Sequence, residues 1–136
     1  MVETILVPTD GSEHAQRAAA YAIALAERED ATVHALYVVD TDDFGEPALS
    51  SAEIVVVNEE DRGRKVLEAV AKAAENRDVP VETCCEHGEP ASTIEAHANE
   101  VGADLIVIGK RGATHKRCEG TVTRTLRGED DRLIVV

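Results

Sequence analysis

Aromatic side chains are almost absent from this chain of 136 residues. Two tyrosines, one phenylalanine and no tryptophan make up 2% of the sequence, whereas 43% of the residues are hydrophobic. We therefore predict an aliphatic core built mainly from alanine and valine. The scarcity also argues against a flavodoxin-like electron carrier, because Tyr21, Tyr37 and Phe44 are poorly placed to sandwich an isoalloxazine ring.

Long apolar runs are missing as well. No stretch of about eighteen apolar residues is present, and the first five residues lack the basic start of a signal peptide. We therefore expect a cytoplasmic protein without membrane contact. The length suits one domain, and there is no linker, repeat or low-complexity tract, so a single domain is expected over residues 1–136.

Lysine is scarce and acidic residues are abundant. Four lysines and ten arginines face 27 aspartates and glutamates, which gives a formal net charge of −13. The carboxylates are spread through the chain, as in the halophilic proteins of salt-accumulating organisms, where a charged surface keeps the protein hydrated. A mostly acidic surface also argues against a nucleic-acid partner, because it would repel phosphates.

Disulfide, metal and catalytic motifs are also lacking. Cys84, Cys85 and Cys118 form no CxxC, and neighbouring cysteines on a strand point to opposite faces, so we expect buried free thiols. Neither a Walker A motif nor a GxGxxG after the first strand is present.

The five histidines suggest neither a base nor a metal site. His14 is expected on the surface, His34 against a sheet face and His97 on the surface of a helix, while His87 and His115 border loops. No serine or cysteine nucleophile accompanies them, so we expect a binding protein rather than an enzyme.

Apolar runs alternate with helical patterns along the whole chain. This order predicts an α/β fold, a doubly wound five-stranded parallel sheet with helices on both faces. The segment 54–57 is ambiguous between a strand and a helix start. The strands are expected at 3–7, 31–39, 79–85, 104–108 and 132–136, and the helices at 15–29, 58–77, 91–101 and 120–127.

Two polar loops leave the first and fourth strands of this predicted sheet, at 8–12 and 109–120. Ligands of such sheets bind at the carboxyl ends of the strands, where the winding reverses, so the loops should face one another. The second loop combines glycines with Thr121, and six of the fourteen cations lie within 110–127, where Glu119 is the only acid. This composition favours anion binding, although a solvated surface loop stays an alternative. For Asp10, the alternative is a turn or helix-capping carboxylate.

Three motifs together carry a family resemblance. They are Ile5-Leu-Val-Pro-Thr-Asp-Gly-Ser-Glu-His-Ala15, Gly88-Glu-Pro-Ala91 and Ala103-Asp-Leu-Ile-Val-Ile-Gly-Lys-Arg-Gly112. In this order and spacing, the chain resembles the universal stress protein family over its whole length. The resemblance implies a Rossmann-like fold of the adenine nucleotide α-hydrolase type, a homodimer formed through the last strand, and a role in the stress response. The family divides into branches that bind ATP and branches that do not.

The resemblance also implies a nucleotide site. Asp10 would bind the ribose or base, and the cofactor would be ATP or a related adenine nucleotide, with or without Mg²⁺. The protein would then act as a sensor or signalling module. The implied contacts are Pro8, Thr9 and Val38 for the nucleoside, and Ile108, Gly109, Gly112, Gly120, Thr121 and Val122 for the phosphate loop.

One departure from the family pattern concerns this loop. Seven residues separate Gly112 from Gly120, where the pattern has nine. The loss either shortens the loop without moving its ends or narrows the pocket until ATP no longer fits. In the second case, the protein would be a nucleotide-free interaction module that binds partner proteins through its basic loop and its terminal strand.

The terminal strand, 132–136, is the basis for the expected homodimer. It is apolar and would otherwise leave an exposed sheet edge. The alternative is an ordinary edge that the preceding loop partly covers.

Overall fold

The computed structural model describes residues 2–39, 49–109 and 132–136, with side chains from residue 58 onward in the second range. This part of the chain forms five strands and three helices, which we number in chain order. They are β1 (Thr4–Pro8), α1 (Glu13–Glu29), β2 (Thr32–Val39), α2 (Leu49–Glu75), β3 (Val81–His87), α3 (Pro90–Val101), β4 (Leu105–Ile108) and β5 (Leu133–Val135). The helix predicted at 120–127 lies outside the described residues.

The sheet has the strand order β3-β2-β1-β4-β5, and every pairing is parallel. One face packs against α1 and α2, and the other face packs against α3. The predicted doubly wound α/β sheet is thereby confirmed. Because β1 lies between β2 and β4, the winding direction reverses at the carboxyl ends of β1 and β4.

The core is aliphatic, as predicted, and its small side chains bring the helices close to the sheet. In α1 the buried stripe is Ala15, Ala18, Ala19, Ala22, Ile23 and Ala26. The helix begins after Ser12, whose side chain caps it, and it ends at Asp30 in a left-handed conformation. None of the helices in the described ranges has the length and apolar character needed to cross a membrane.

Helix α2 begins earlier than predicted. The ambiguous segment 54–57 lies inside this helix, so the strand interpretation was wrong. The apolar residues of this segment are β-branched, and such residues favour strands. They nevertheless continue the helical pattern of the residues that follow.

Asp104 joins β1 to β4 at the amino end of the sheet. Its Oδ2 atom accepts hydrogen bonds from the backbone N–H groups of Glu3 at 2.8 Å and Thr4 at 3.0 Å. These two donors hold the pKa of the Asp104 carboxyl below its ordinary value. The carboxylate thus fixes the start of β4 beside β1.

Candidate functional site

The carboxyl ends of β1 and β4 lie side by side, and the residue that follows β4 lies against the start of α1. Leu6 pairs with Ile106, which puts Pro8 level with Ile108. A Cβ atom added to Gly109 would lie only 2.7 Å from the backbone carbonyl carbon of His14. Gly109, near the start of the predicted phosphate loop, therefore touches the first turn of α1. Residues 110–120 lie outside the described residues, so the expected meeting of the two loops stays a prediction.

Hydrogen bonds made by residues 9–12 hold the loop after β1 in one conformation. The Thr9 N–H donates to the carbonyl oxygen of Leu36 at 2.8 Å, which ties the loop to β2. The Ser12 N–H donates to Oδ1 of Asp10 at 2.9 Å, and the Ala15 N–H donates to Oγ of Ser12 at 3.2 Å. Asp10 therefore serves as a turn carboxylate, and its role toward a ligand stays a prediction.

Helix α2 lies close to this loop, at a position where only glycine fits. Gly11 has a φ of 81°, and a Cβ atom there would lie 2.8 Å from Cγ2 of Val66. On the same helix, Nη2 of Arg62 donates to the backbone carbonyl oxygen of Asp10 at 3.3 Å. The helix thus brings a cation to the edge where an anionic ligand is predicted.

A contact between Gly63 and Tyr37 determines how closely α2 packs on the sheet. A Cβ atom on Gly63 would lie 2.6 Å from Cδ1 of the tyrosine ring, which is only 3% exposed. The Tyr37 hydroxyl donates to Oε2 of Glu59 at 2.9 Å. Burial, and then the hydrogen bond to Glu59, raises the pKa of Tyr37.

Sequence analysis did not assign Glu59, Arg62 or Gly63 to this site. The available signal was a glycine inside a helical pattern, which marks a place where another group approaches the backbone. It does not say which group approaches, because that depends on how α2 packs on β2.

Six of the predicted site residues fall within the described ranges. Val38 and Ile108 pack on the sheet face that α3 covers, and the alternation along β1 places Pro8 on that face as well. Thr9 is 7% exposed, while Asp10 and Gly109 are half-buried. The other four, Gly112, Gly120, Thr121 and Val122, lie outside the described residues.

The model of the universal stress protein family matches residues 1–128 of this chain. The chain belongs to the universal stress protein family. It is 40% identical to a universal stress protein of Methanocaldococcus jannaschii over 115 residues, which cover 84% of this chain and 68% of the relative. It is also 34% identical to a universal stress protein of Bacillus subtilis, with 82% of this chain and 81% of that one covered.

Solved structures agree with this assignment. Universal stress protein UspA from Lactobacillus plantarum superposes with a TM-score of 0.77 at 30% identity, over 99% of this chain and 97% of that chain. The fold and the family predicted from the sequence are therefore both confirmed.

This universal stress protein carries a second group of polar side chains, between β3 and α3. Contrary to the prediction, His97 is buried, with 8% of its surface exposed. It follows Ile94 by three positions, so it lies on the stripe of α3 that packs against the sheet. Its Nδ1 atom lies 3.4 Å from Oε1 of Glu86, and Sγ of Cys84 lies 3.9 Å from the same oxygen.

The cysteines also differ from the prediction. Both described cysteines are free, but Cys84 is only half-buried and Cys85 is exposed, so the expectation of buried thiols was wrong for these two, while Cys118 lies outside the described residues. The reason is that β3 is an edge strand, where the sheet covers its residues on one side only. Burial, followed by the charge of Glu86, raises the pKa of the Cys84 thiol.

Cys85 points to the opposite face, into an open cleft of about 490 Å³ between α2 and β3. His87 also lines this cleft, and its Nε2 atom lies 2.9 Å from Oε1 of Glu60. His87 is the last residue of β3 and is exposed, so it borders the loop that follows, as predicted, although β3 extends two residues beyond its predicted end at 85.

Proposed function

We propose that this universal stress protein binds ATP or a related adenine nucleotide at the carboxyl ends of β1 and β4. The contact between Gly109 and the first turn of α1 carries the proposal, because it brings the start of a glycine-containing segment to a helix N-terminus. This is the arrangement in which backbone N–H groups bind phosphate.

Two further structural neighbours support the class of ligand. One is a universal stress protein in complex with cAMP, with a TM-score of 0.71, and the other is a family member from Arabidopsis thaliana with AMP bound, with a TM-score of 0.73. They are 22% and 16% identical to this chain, so what they have in common with it is the fold. Both ligands contain adenine and ribose, and the proposal takes these two moieties as the recognised part.

The described residues fit a nucleoside. Pro8 and Val38, which are half-buried, offer an apolar surface for the base, and the buried Ile108 packs on the same face of the sheet. The Asp10 carboxylate is an acceptor for ribose hydroxyls or for an exocyclic amine. In the proposed complex, phosphates lie over Gly109, Gly112, Gly120, Thr121 and Val122, with Thr9 below the nucleoside and with Mg²⁺ as a counterion where the ligand is a triphosphate.

Arg62 is a positively charged residue near the proposed site, in addition to those of the basic segment 110–127. It already donates to the backbone of Asp10, so its guanidinium lies within reach of a ligand at this loop. Arginine binds phosphate oxygens with a planar fork of donors. In our proposal, the protein uses this binding as a stress-responsive sensor or signalling module rather than for catalysis.

Calorimetric titration with ATP, ADP, AMP and cAMP in high salt tests the proposal. The informative variant is Asp10→Asn, which keeps an oxygen for the Ser12 N–H and so preserves the turn, but removes the charge. Asp30→Asn is the matched control, because this residue ends the same helix at its other terminus. The 17 residues of α1 separate the two sites by roughly 25 Å.

We expect Asp10→Asn to weaken nucleotide binding about tenfold and Asp30→Asn to leave it unchanged. Hydrogen bonds to charged groups contribute about 1–1.5 kcal/mol more than neutral ones, and 1.4 kcal/mol corresponds to a factor of ten. If no nucleotide binds below millimolar concentration while Asp10→Ala stays folded, the proposal is wrong. That result would favour the nucleotide-free interaction module implied by the short spacing between Gly112 and Gly120.

A homodimer through β5 is the second part of the proposal. Within the described residues, no strand pairs with the outer edge of β5, and all three of its residues are half-buried. The backbone carbonyl of Arg132 and the backbone N–H of Val136 bond to β4. Backbone groups of successive residues in a strand point alternately to its two neighbours, so the N–H of Val135 points away from β4, to the outer edge.

Val135→Pro therefore removes an outward donor and spares the pairing with β4. We expect light scattering to show a dimer for the natural chain and a monomer for Val135→Pro. A natural chain that is monomeric at micromolar concentration in molar salt would contradict this prediction.

A further inference from the structure

The group formed by Cys84, Glu86 and His97 lies away from the proposed nucleotide site, beneath α3 at the β3 edge of the sheet. Cys84 and Glu86 are two positions apart on β3, so both side chains are on the same face. His97 faces them from the buried side of α3. Two neighbouring elements thus bring a thiol, a carboxylate and an imidazole together.

The spacing of the donor atoms suits a small metal ion. Cys84 Sγ, Glu86 Oε1 and His97 Nδ1 all lie within 4.8 Å of one another. Zinc bonds of about 2.0 Å to nitrogen and oxygen and about 2.3 Å to sulfur, in a tetrahedron, require donors roughly 3.3–3.6 Å apart. The observed separations of 3.4 Å and 3.9 Å are close to these values, so side-chain rotations would complete the geometry.

His97 supplies an independent observation that points to a ligand. Its Nδ1 atom is buried and has no hydrogen-bond partner among the described residues, because the 3.4 Å approach to Glu86 lacks the geometry of a hydrogen bond. A buried polar atom left unsatisfied costs about 1–3 kcal/mol. A cation between Nδ1 and Glu86 would satisfy both atoms at once.

The surroundings give an ion a route and a favourable charge. A cavity of about 270 Å³ adjoins the group and is lined by Cys84, His97, His34 and Glu82 among others. His34 Nδ1 lies 3.4 Å from Oε2 of Glu82, and the charge of Glu100 also acts on Cys84. There is space for a water molecule as a fourth ligand.

From these observations we infer that Cys84, Glu86 and His97 form a binding site for a transition-metal ion of the zinc class. A sulfur, nitrogen and oxygen donor set selects such ions over Mg²⁺ or Ca²⁺, which prefer oxygen alone. With three protein ligands, the site leaves one position for water or an external ligand. The ion would hold β3 to α3 and so stabilise one edge of the sheet.

Cobalt provides a direct test on the full chain, because a thiolate bound to Co²⁺ gives an intense charge-transfer absorption in the near ultraviolet. The chain is first stripped of metal with a chelator. The double variant Cys85→Ser/Cys118→Ser keeps Cys84 as its only thiol, and we expect it to bind one Co²⁺ and to show the band. Cys84→Ser keeps the other two thiols, and we expect it to lack the band.

Competition with a chromophoric chelator then measures Zn²⁺ affinity. We expect Glu86→Gln and His97→Gln each to weaken binding at least about tenfold, since even residues that only orient metal ligands change affinity by 10–100-fold. Glu86 is partly exposed, so its variant tests the site even if the His97 variant unfolds, and far-UV circular dichroism reports folding. Asp10→Asn should leave Zn²⁺ binding unchanged, which separates this test from that of the nucleotide proposal.

A thiolate band that persists in Cys84→Ser, or Zn²⁺ affinity that is equal in the natural chain and in Glu86→Gln, would overturn the inference. Failure of the natural chain to bind Co²⁺ or Zn²⁺ would do the same.

Discussion

Replacing Gly63 by alanine should destabilise this protein, although alanine is the better helix former. In a helix interior the change ordinarily stabilises by about 1 kcal/mol. Here the new Cβ atom would lie 2.6 Å from Cδ1 and 2.9 Å from Cγ of Tyr37. The ring is buried and its hydroxyl is held by Glu59, so the clash is relieved only by moving the ring or the helix.

Overpacking of this kind costs about 1–3 kcal/mol. After the gain in helix propensity is subtracted, Gly63→Ala should lower the free energy of unfolding by up to about 2 kcal/mol. In a Tyr37→Ala background the clash is gone, and the same substitution should raise the free energy of unfolding by about 1 kcal/mol. The sign of the effect therefore depends on the partner.

Urea denaturation of the four chains, followed by circular dichroism, measures this cycle. Tyr37→Ala alone should cost about 3–5 kcal/mol, so the series is best run in molar salt. Gly63→Ala should also weaken nucleotide binding, because Arg62 is the preceding residue and moves with the helix. If Gly63→Ala stabilises both backgrounds equally, the contact with Tyr37 does not determine how α2 packs.

Three further predictions concern other parts of the molecule. Gly109→Ala should destabilise by about 1–3 kcal/mol, because its Cβ atom would overlap the backbone of His14, and unchanged urea denaturation would contradict the contact. The N–H of Ser92 holds the pKa of the helix-capping Glu89 below its ordinary value of about 4.3, so the capping contribution is fully present above that pH and is lost as the pH falls through the lowered value. Glu89→Gln should therefore cost about 0.5–1 kcal/mol at neutral pH and progressively less as the pH falls below the ordinary glutamate range, and a loss that does not change with pH would argue against a charged cap. Finally, the net charge of −13 predicts that the midpoint of thermal unfolding rises between about 0.1 M and about 1 M NaCl, and a flat response would exclude self-repulsion as a significant cost.

The fold could be predicted from the sequence because each strand and helix has a clear local pattern. Buried parallel strands are continuous apolar runs, and turn residues such as Gly11 and Gly102 mark where elements start or end. The position of the candidate nucleotide site followed from topology, since the ends of β1 and β4 meet wherever the winding reverses. Boundaries were less accurate, and α2 in particular was assigned too short.

The remaining features depend on contacts between elements that no local pattern specifies. The approach of Arg62 to Asp10 requires Gly63 to lie on Tyr37, and these residues belong to two different elements, α2 and β2, and to the loop after β1. The burial of His97 was detectable, because the spacing from Ile94 placed it on the inner stripe of α3. We predicted an exposed side chain because histidine is polar, and we gave this more weight than the spacing. A buried histidine is nevertheless ordinary where carboxylates lie nearby.

The carboxylate of Asp104 has a consequence for the order in which the sheet forms. It joins β1 and β4 across 101 positions of sequence, whereas β1 and β2 pair Ile5 with Val33 over a short crossover. Closing the longer loop costs about 1 kcal/mol more in chain entropy, so the β1–β2–β3 part is free to assemble first. During synthesis, β4 also leaves the ribosome several seconds after β1 at about 5–20 residues per second. The pairing of β1 with β4, at whose carboxyl ends we propose nucleotide binding, therefore closes after the β1–β2–β3 part, and a ligand that bridges these two strands would slow their separation.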